Sequence, residues 1–234
     1  MIDSISVPHL LVMLLPLTLV AAIYWKWVGR PAEIGIATAR MVLQLVAVGY
    51  FLTYLFESES PWVGLGVFAF MIGISSWIAM RSTQRREWLT YRRILISIGI
   101  AGGLNLVLVV FFVMRMEPWY QLRFVIPIGG MIFSAGMNVV SLCAERYEND
   151  MERTGDHNLS RKEAFRAALI PQVNTYLAVG LVALPGIMTG QILSGVSPLV
   201  AVRYQIMVMC MIMGTAGLAA AIYLWLVRPK TMGN

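Results

Sequence analysis

The sequence predicts an all-α integral membrane protein: a bundle of about seven transmembrane helices, with the N-terminus outside and the C-terminus in the cytoplasm. Three observations predict it. Only 13% of the 234 residues are charged while 59% are hydrophobic, and the mean hydropathy is +0.73. A soluble domain carries roughly 25% charged residues. The apolar residues gather into stretches near the ~20 residues that a helix needs to cross a bilayer. The basic residues collect in alternate gaps between those stretches, a pattern that sets orientation in a membrane.

The stretches run about 8–27, 34–56, 62–80, 94–114, 124–144, 172–193 and 199–227, and together form a single transmembrane domain over 1–234. The first is preceded by Asp3 and by no Lys or Arg. It is also too long for a signal-peptide core, so it is expected to persist as a span. The second carries Arg40 and Gln44, four residues apart and so on one helix face. Arg40 either lines a path or snorkels to the nearby headgroups. In the fourth and fifth, Gly102-Gly103 and Gly129-Gly130 permit close helix approach, as do Gly180, Gly190 and Gly214 further on. Asn105 and Asn138 are polar residues at membrane depth, and Pro127 is expected to bend the fifth span.

The sixth stretch differs. Pro185-Gly186 falls mid-span, with Thr189, Gly190 and Gln191 following. Unwound backbone at membrane depth is tolerated only within protein or against a watery cavity. This span is therefore expected to break, and to line a path or to pack. The seventh holds Arg203, Gln205 and Met207, Met209, Met211 and Met213, whose alternate spacing spreads around a helix rather than stacking on one face.

Orientation follows from the gaps. Lys26 and Arg30 follow the first stretch. Arg81, Arg85, Arg86, Arg92 and Arg93 follow the third, while Arg146, Arg153, Arg161, Lys162 and Arg166 follow the fifth. Arg228 and Lys230 close the chain. The other gaps are poor in bases: 57–61 has Glu57 and Glu59, 115–123 has Arg115 and Arg123, and 194–198 has none. The expected location is the inner or plasma membrane, with lipid as the surrounding partner. The net charge of +6 is thus a topology signal, and no nucleic-acid partner is expected.

One cytoplasmic segment is substantial. Residues 145–170 hold 11 of the chain's 30 acidic and basic residues. Gly155 is placed to end an extension of the fifth span. Ser160 and Glu163 read as a capping box that starts a helix near Arg161 and runs it to Pro171. That helix has a basic side (Lys162, Arg166) and an apolar side (Phe165, Ala168, Leu169). It is either a tether between spans or a docking element in which Phe165 is the anchor.

Several chemistries are missing from the sequence. It contains no G-x-x-x-x-G-K-[ST] loop, no H-E-x-x-H and no Cys/His cluster. Cys143 and Cys210 sit in apolar surroundings without metal-ligand spacing, and the metal ligands are unassigned. No enzymatic activity is expected of the chain, and no cofactor of its own.

Particular segments carry a resemblance. Ile126-Pro127-Ile128-Gly129-Gly130-Met131-Ile132 with Met137, Arg166-Ala167-Ala168-Leu169-Ile170-Pro171, and Val179 through Gly190 with Gly195, Pro198 and Tyr204-Gln205-Ile206-Met207 resemble segments of the FetB (YbbM) permease family. Arg40, Gln44-Leu45 and Val48-Gly49-Tyr50 agree more loosely. The resemblance implies a permease subunit of an ATP-binding-cassette transporter that exports metal, iron in particular. It further implies a separate FetA-like cytoplasmic ATPase that uses the ATP, and a homodimer of permeases. On that footing the substrate path is assigned to Arg40, Gln44, Asn138, Pro185, Gly186 and Gln191. Coupling to the ATPase is assigned to Ser160, Lys162, Glu163, Phe165 and Arg166. A carrier or channel that needs no partner, and a membrane subunit that moves nothing, are the alternatives.

Overall fold

The computed structural model describes residues 7–29, 32–58, 60–84 and 86–227. Arg30, Glu59, Arg85, Arg228 and Lys230, all used in reading the orientation, lie outside the described residues.

The chain divides into two compact units, Met1–Glu57 and Ser58–Asn234. The first holds α1 (Val7–Val12), α2 (Leu14–Val28) and α3 (Ala32–Glu57). Gly29 ends α2 in the left-handed conformation, its N–H returning to the Trp25 carbonyl. The Tyr24 hydroxyl donates to Glu33 across the turn (2.9 Å). Arg40 and Gln44 both lie exposed on α3.

The second unit holds α4 (Pro61–Met80), α5 (Trp88–Val107), a π-helical continuation Leu108–Val113, α6 (Leu122–Thr154), α7 (His157–Ala178), α8 (Gly186–Leu193) and α9 (Pro198–Leu226). Among the described residues six helices are long and apolar enough to cross a membrane: Pro8–Val28, Ala32–Glu57, Pro61–Met80, Trp88–Val113, Leu122–Thr154 and Pro198–Leu226. The protein is a multi-pass integral membrane protein. The stretch at 172–193 is divided between the end of α7 and α8, with irregular backbone between them.

The central helix is α6, which packs against α4, α5, α7 and α9. Its buried stripe of Ile128, Ile132, Val139, Val140, Cys143 and Ala144 meets Ile94 and Ile98 of α5, Ala164 and Ala168 of α7, and Ala216, Ala219 and Ala220 of α9 within one core. In lipid such contacts hold by close packing, so small residues gather where helices approach. A Cβ on Gly102 would stand 2.7 Å from the Phe133 ring, and one on Gly129 2.7 Å from Phe68. One on Gly214 would reach Asn105 at 3.0 Å. Gly103, Gly180 and Gly190, expected to serve the same purpose, have nothing within 4 Å. Pro127 sits inside an uninterrupted α6.

Gly155 closes α6 as expected, left-handed at φ 67°, with its N–H on the Met151 carbonyl. The capping box does not form. The N-cap of α7 is Asp156, whose carboxylate accepts from the Asn158 and Leu159 amides (2.8 and 3.1 Å). Ser160 lies buried in the first turn and donates to the Asp156 carbonyl (2.7 Å). Asp156 wins because it sits one residue after the helix-ending glycine, where the backbone is still extended. Nor does Pro171 end α7, which runs through it to Ala178.

Candidate functional site

The backbone opens between Val179 and Pro185. Three amides, those of Leu181, Val182 and Ala183, converge on the Ala178 carbonyl (3.2, 2.8 and 3.2 Å). Gly180 takes φ 82° and donates to the Ala183 carbonyl. Two residues cause the break. Gly180 adopts the left-handed conformation without a Cβ penalty. Pro185 has no amide to return to residue 181, and its ring would collide with that carbonyl in a helix. The chain re-enters a helix at Gly186, where the Thr189 amide bonds to the Pro185 carbonyl. The sixth stretch is therefore broken at the place its Pro-Gly pair indicates.

The opened segment forms one wall of a cavity of about 370 Å³. Tyr176, Leu184, Pro185 and Met188 line it from the side of the break, and Gln205, Met209 and Cys210 line it from α9. The Tyr176 hydroxyl donates to the Met209 carbonyl (2.6 Å), clasping α7 to α9 one turn before the break. Gln205 is 6% exposed, and its Oε1 has no hydrogen-bond partner among the described residues. The buried Gln191 Oε1 on α8 is in the same condition. A buried amide oxygen left unpaired is costly, so each is an acceptor available to a cation, a water or a donor group. Apolar walls with a few such acceptors are the usual make-up of a ligand site.

A second cavity of about 390 Å³ lies on the other flank of the same stretch of α9, since Ile206 and Cys210 line both. Asn105, Val109, Arg203, Met207 and Met211 line it as well, where α5 widens into its π-helical turn. Such a turn widens a helix locally and is frequent at functional sites. The methionines thus divide as their spacing indicates: Met209 faces one cavity, Met207 and Met211 the other.

Of the six assigned path residues, the structure places Pro185 in the cavity wall, Gly186 at the start of α8 and Gln191 on α8. Asn138 is exposed on α6 and lines neither cavity. Arg40 and Gln44 belong to the separate N-terminal unit. Tyr176, Met188, Gln205 and Cys210 were not among the assigned residues. A signal for the α9 part existed: Val202, Gln205, Ile206, Met209 and Cys210 follow the i, i+3, i+4, i+7, i+8 spacing of one helix face.

The assigned coupling residues lie near the α6–α7 junction. Lys162 and Arg166 are exposed, Glu163 and Phe165 are half-buried, and Ser160 is buried. Phe165 is partly buried against the core and also lines a groove between α7 and α9. Nearby, Asp150 is buried between Arg146 (2.9 Å) and Arg153 (3.3 Å). The Gln84 amide donates to Glu148 (2.7 Å), tying the α4–α5 loop to α6. The Tyr147 hydroxyl donates to the Val227 carbonyl (3.1 Å) and is hydrogen-bonded to His157 Nδ1 (2.8 Å). This end of the unit is therefore held by polar contacts rather than by core packing alone.

A family model described as an uncharacterised protein family, UPF0014, matches residues 7–232. A UPF0014 membrane protein of Synechocystis sp. is 33% identical over 84% of this chain and 82% of its own length. The probable iron export permease protein FetB of Escherichia coli is 31% identical over 83% of this chain and 79% of its own. The protein ALUMINUM SENSITIVE 3 of Arabidopsis thaliana is 27% identical over 88% and 80% respectively. No solved structure matches.

Proposed function

This chain belongs to the UPF0014 family of membrane proteins, and from that premise we propose that it is the membrane-spanning permease subunit of an ATP-binding-cassette transporter. On this reading it exports a metal, with iron the first cargo to test, and a separate cytoplasmic ATPase supplies the energy. The observation that carries the reading is the break at Val179–Pro185. It places open backbone beside a cavity lined by α7, α8 and α9, and at membrane depth such backbone is tolerated only within protein or along a watery cavity. The relation to a probable iron export permease supports the cargo, and the missing phosphate loop leaves the energy source to another chain.

Within this reading the path runs along α7, α8 and α9 past Pro185, Gln191 and Gln205. The coupling surface is the segment of Ser160, Lys162, Glu163, Phe165 and Arg166, in which Lys162 and Arg166 are exposed. A second copy of the chain suits the exposed break: Leu181 and Val182 are 89% and 85% exposed, and open backbone at membrane depth is not sustained against lipid. The N-terminus is outside and the C-terminus cytoplasmic in the proper membrane, the inner or plasma membrane of the cell.

The test is purification of the full chain from its own cells, followed by flux in liposomes. Co-purification of a P-loop ATPase, and metal flux that requires ATP and that ATPase, is the expected result. Arg166→Glu should leave the bundle folded but lower ATPase stimulation at least tenfold. Metal flux down a gradient by the chain alone would make it a partner-independent carrier or channel. No flux under any condition would make it a non-transporting subunit.

A further inference from the structure

A groove of about 520 Å³ separates the first turns of α7 from the last turns of α9. Its rim carries two cations, Arg161 and Lys162, both exposed, and among the described residues no carboxylate lines it. Phe165, Ala221 and Leu224 form its floor, and Trp225 stands at its edge. We propose that this groove binds one anionic phospholipid, the headgroup phosphate on Arg161 and Lys162 and an acyl chain along Ala221 and Leu224.

Three features select that ligand. The two lining charges share one sign, so the complement is an anion. The floor is apolar, so a free inorganic anion would leave it bare to water, whereas an acyl chain covers it. The floor also belongs to a spanning helix: Ala221 lies about 8 Å inside the end of α9, at 1.5 Å per residue, where lipid reaches and a water-soluble partner does not. Tryptophan at a helix end suits the headgroup level. Basic grooves between spanning helices hold anionic headgroups in this manner, and the long stems of Arg and Lys lie along apolar surface while their charges meet the phosphate. The proposal needs only that the chain is a membrane protein, and holds whether or not it transports.

The experiment is native mass spectrometry of the full chain in detergent with added phosphatidylglycerol or phosphatidylethanolamine, alongside thermal melting. The expected result is preferential retention of one phosphatidylglycerol per chain and a higher Tm with that lipid than with the zwitterionic one. The double variant Arg161→Gln/Lys162→Gln should lose retention at least tenfold, while Arg123→Gln, at the far end of α6, retains it. Equal retention of the two lipids would overturn the proposal, as would displacement by millimolar inorganic phosphate, which would mark a soluble-anion site. A double variant that keeps phosphatidylglycerol but no longer co-purifies with an ATPase would overturn it too, and assign the rim to a protein partner. Should the double variant fail to fold, Ala221→Trp fills the floor without touching the charges, and it must also lose the lipid.

Discussion

At the scale of single residues, two kinds of position decide most. The first kind is closeness. A Cβ at Gly129 would meet the Phe68 ring at 2.7 Å, and the nearest Phe68 atoms belong to a buried ring with little room to retreat. Gly129→Val should therefore destabilise the bundle by about 1–3 kcal/mol, the usual cost of overpacking. Gly103→Val, which meets nothing, should be near neutral; melting in detergent compares the two. The second kind is capping. Asp156 satisfies two amides at the start of α7, so Asp156→Ala should cost about 1 kcal/mol and Asp156→Asn much less. Had Ser160 been the cap, Asp156→Ala would have been silent. The sequence points to Ser160, and the end of α6 at Gly155 is what moves the cap to Asp156.

Cysteines give a test of the cavities at the same scale. Cys143 is fully buried in the core, whereas Cys210 is exposed and lines both cavities. A small membrane-permeant maleimide should therefore modify one thiol per folded chain. Cys210→Ser should abolish the modification and Cys143→Ser leave it intact. Two thiols reacting at equal rates in folded protein would contradict this packing.

At the scale of elements, the break between α7 and α8 is what the molecule could not lose if it works as proposed. It depends on Gly180 at positive φ and on the missing amide of Pro185. Pro185→Ala permits the helix to close, and should keep the fold while reducing metal flux by at least tenfold. Gly180→Val forces a β-branched residue into the left-handed region, at about 1–2 kcal/mol. If both variants transport at the wild-type rate, the break is a packing detail and the path lies elsewhere. The reach of α7 is the other lesson at this scale. Proline at 171 reads as a stop, yet the helix passes through it, because Ala164 and Ala168 before it and Tyr176 after it are all anchored to the bundle. Local propensity yields to tertiary packing there.

At the scale of the whole molecule, the chain's charge distribution predicts its placement. A fluorescent protein fused after Asn234 should fold and fluoresce inside the cell, and alkaline phosphatase fused there should be inactive; the reverse would invert the orientation. The sequence by itself determined that the chain lives in a membrane, and roughly where its apolar stretches begin and end. A stretch of twenty apolar residues has no other stable solvent. It also marked the break, where Gly180 and Pro185 fall close together, whereas the lone prolines at 127 and 171 do not stop their helices. Only the tertiary structure decided which face of each helix meets which neighbour. It set Gln205 and Cys210 against the opened segment, left Asn138 exposed on α6, and placed Phe165 in the groove between α7 and α9. Within a helix that is apolar all round, periodicity does not distinguish the faces. Close packing between particular helices does.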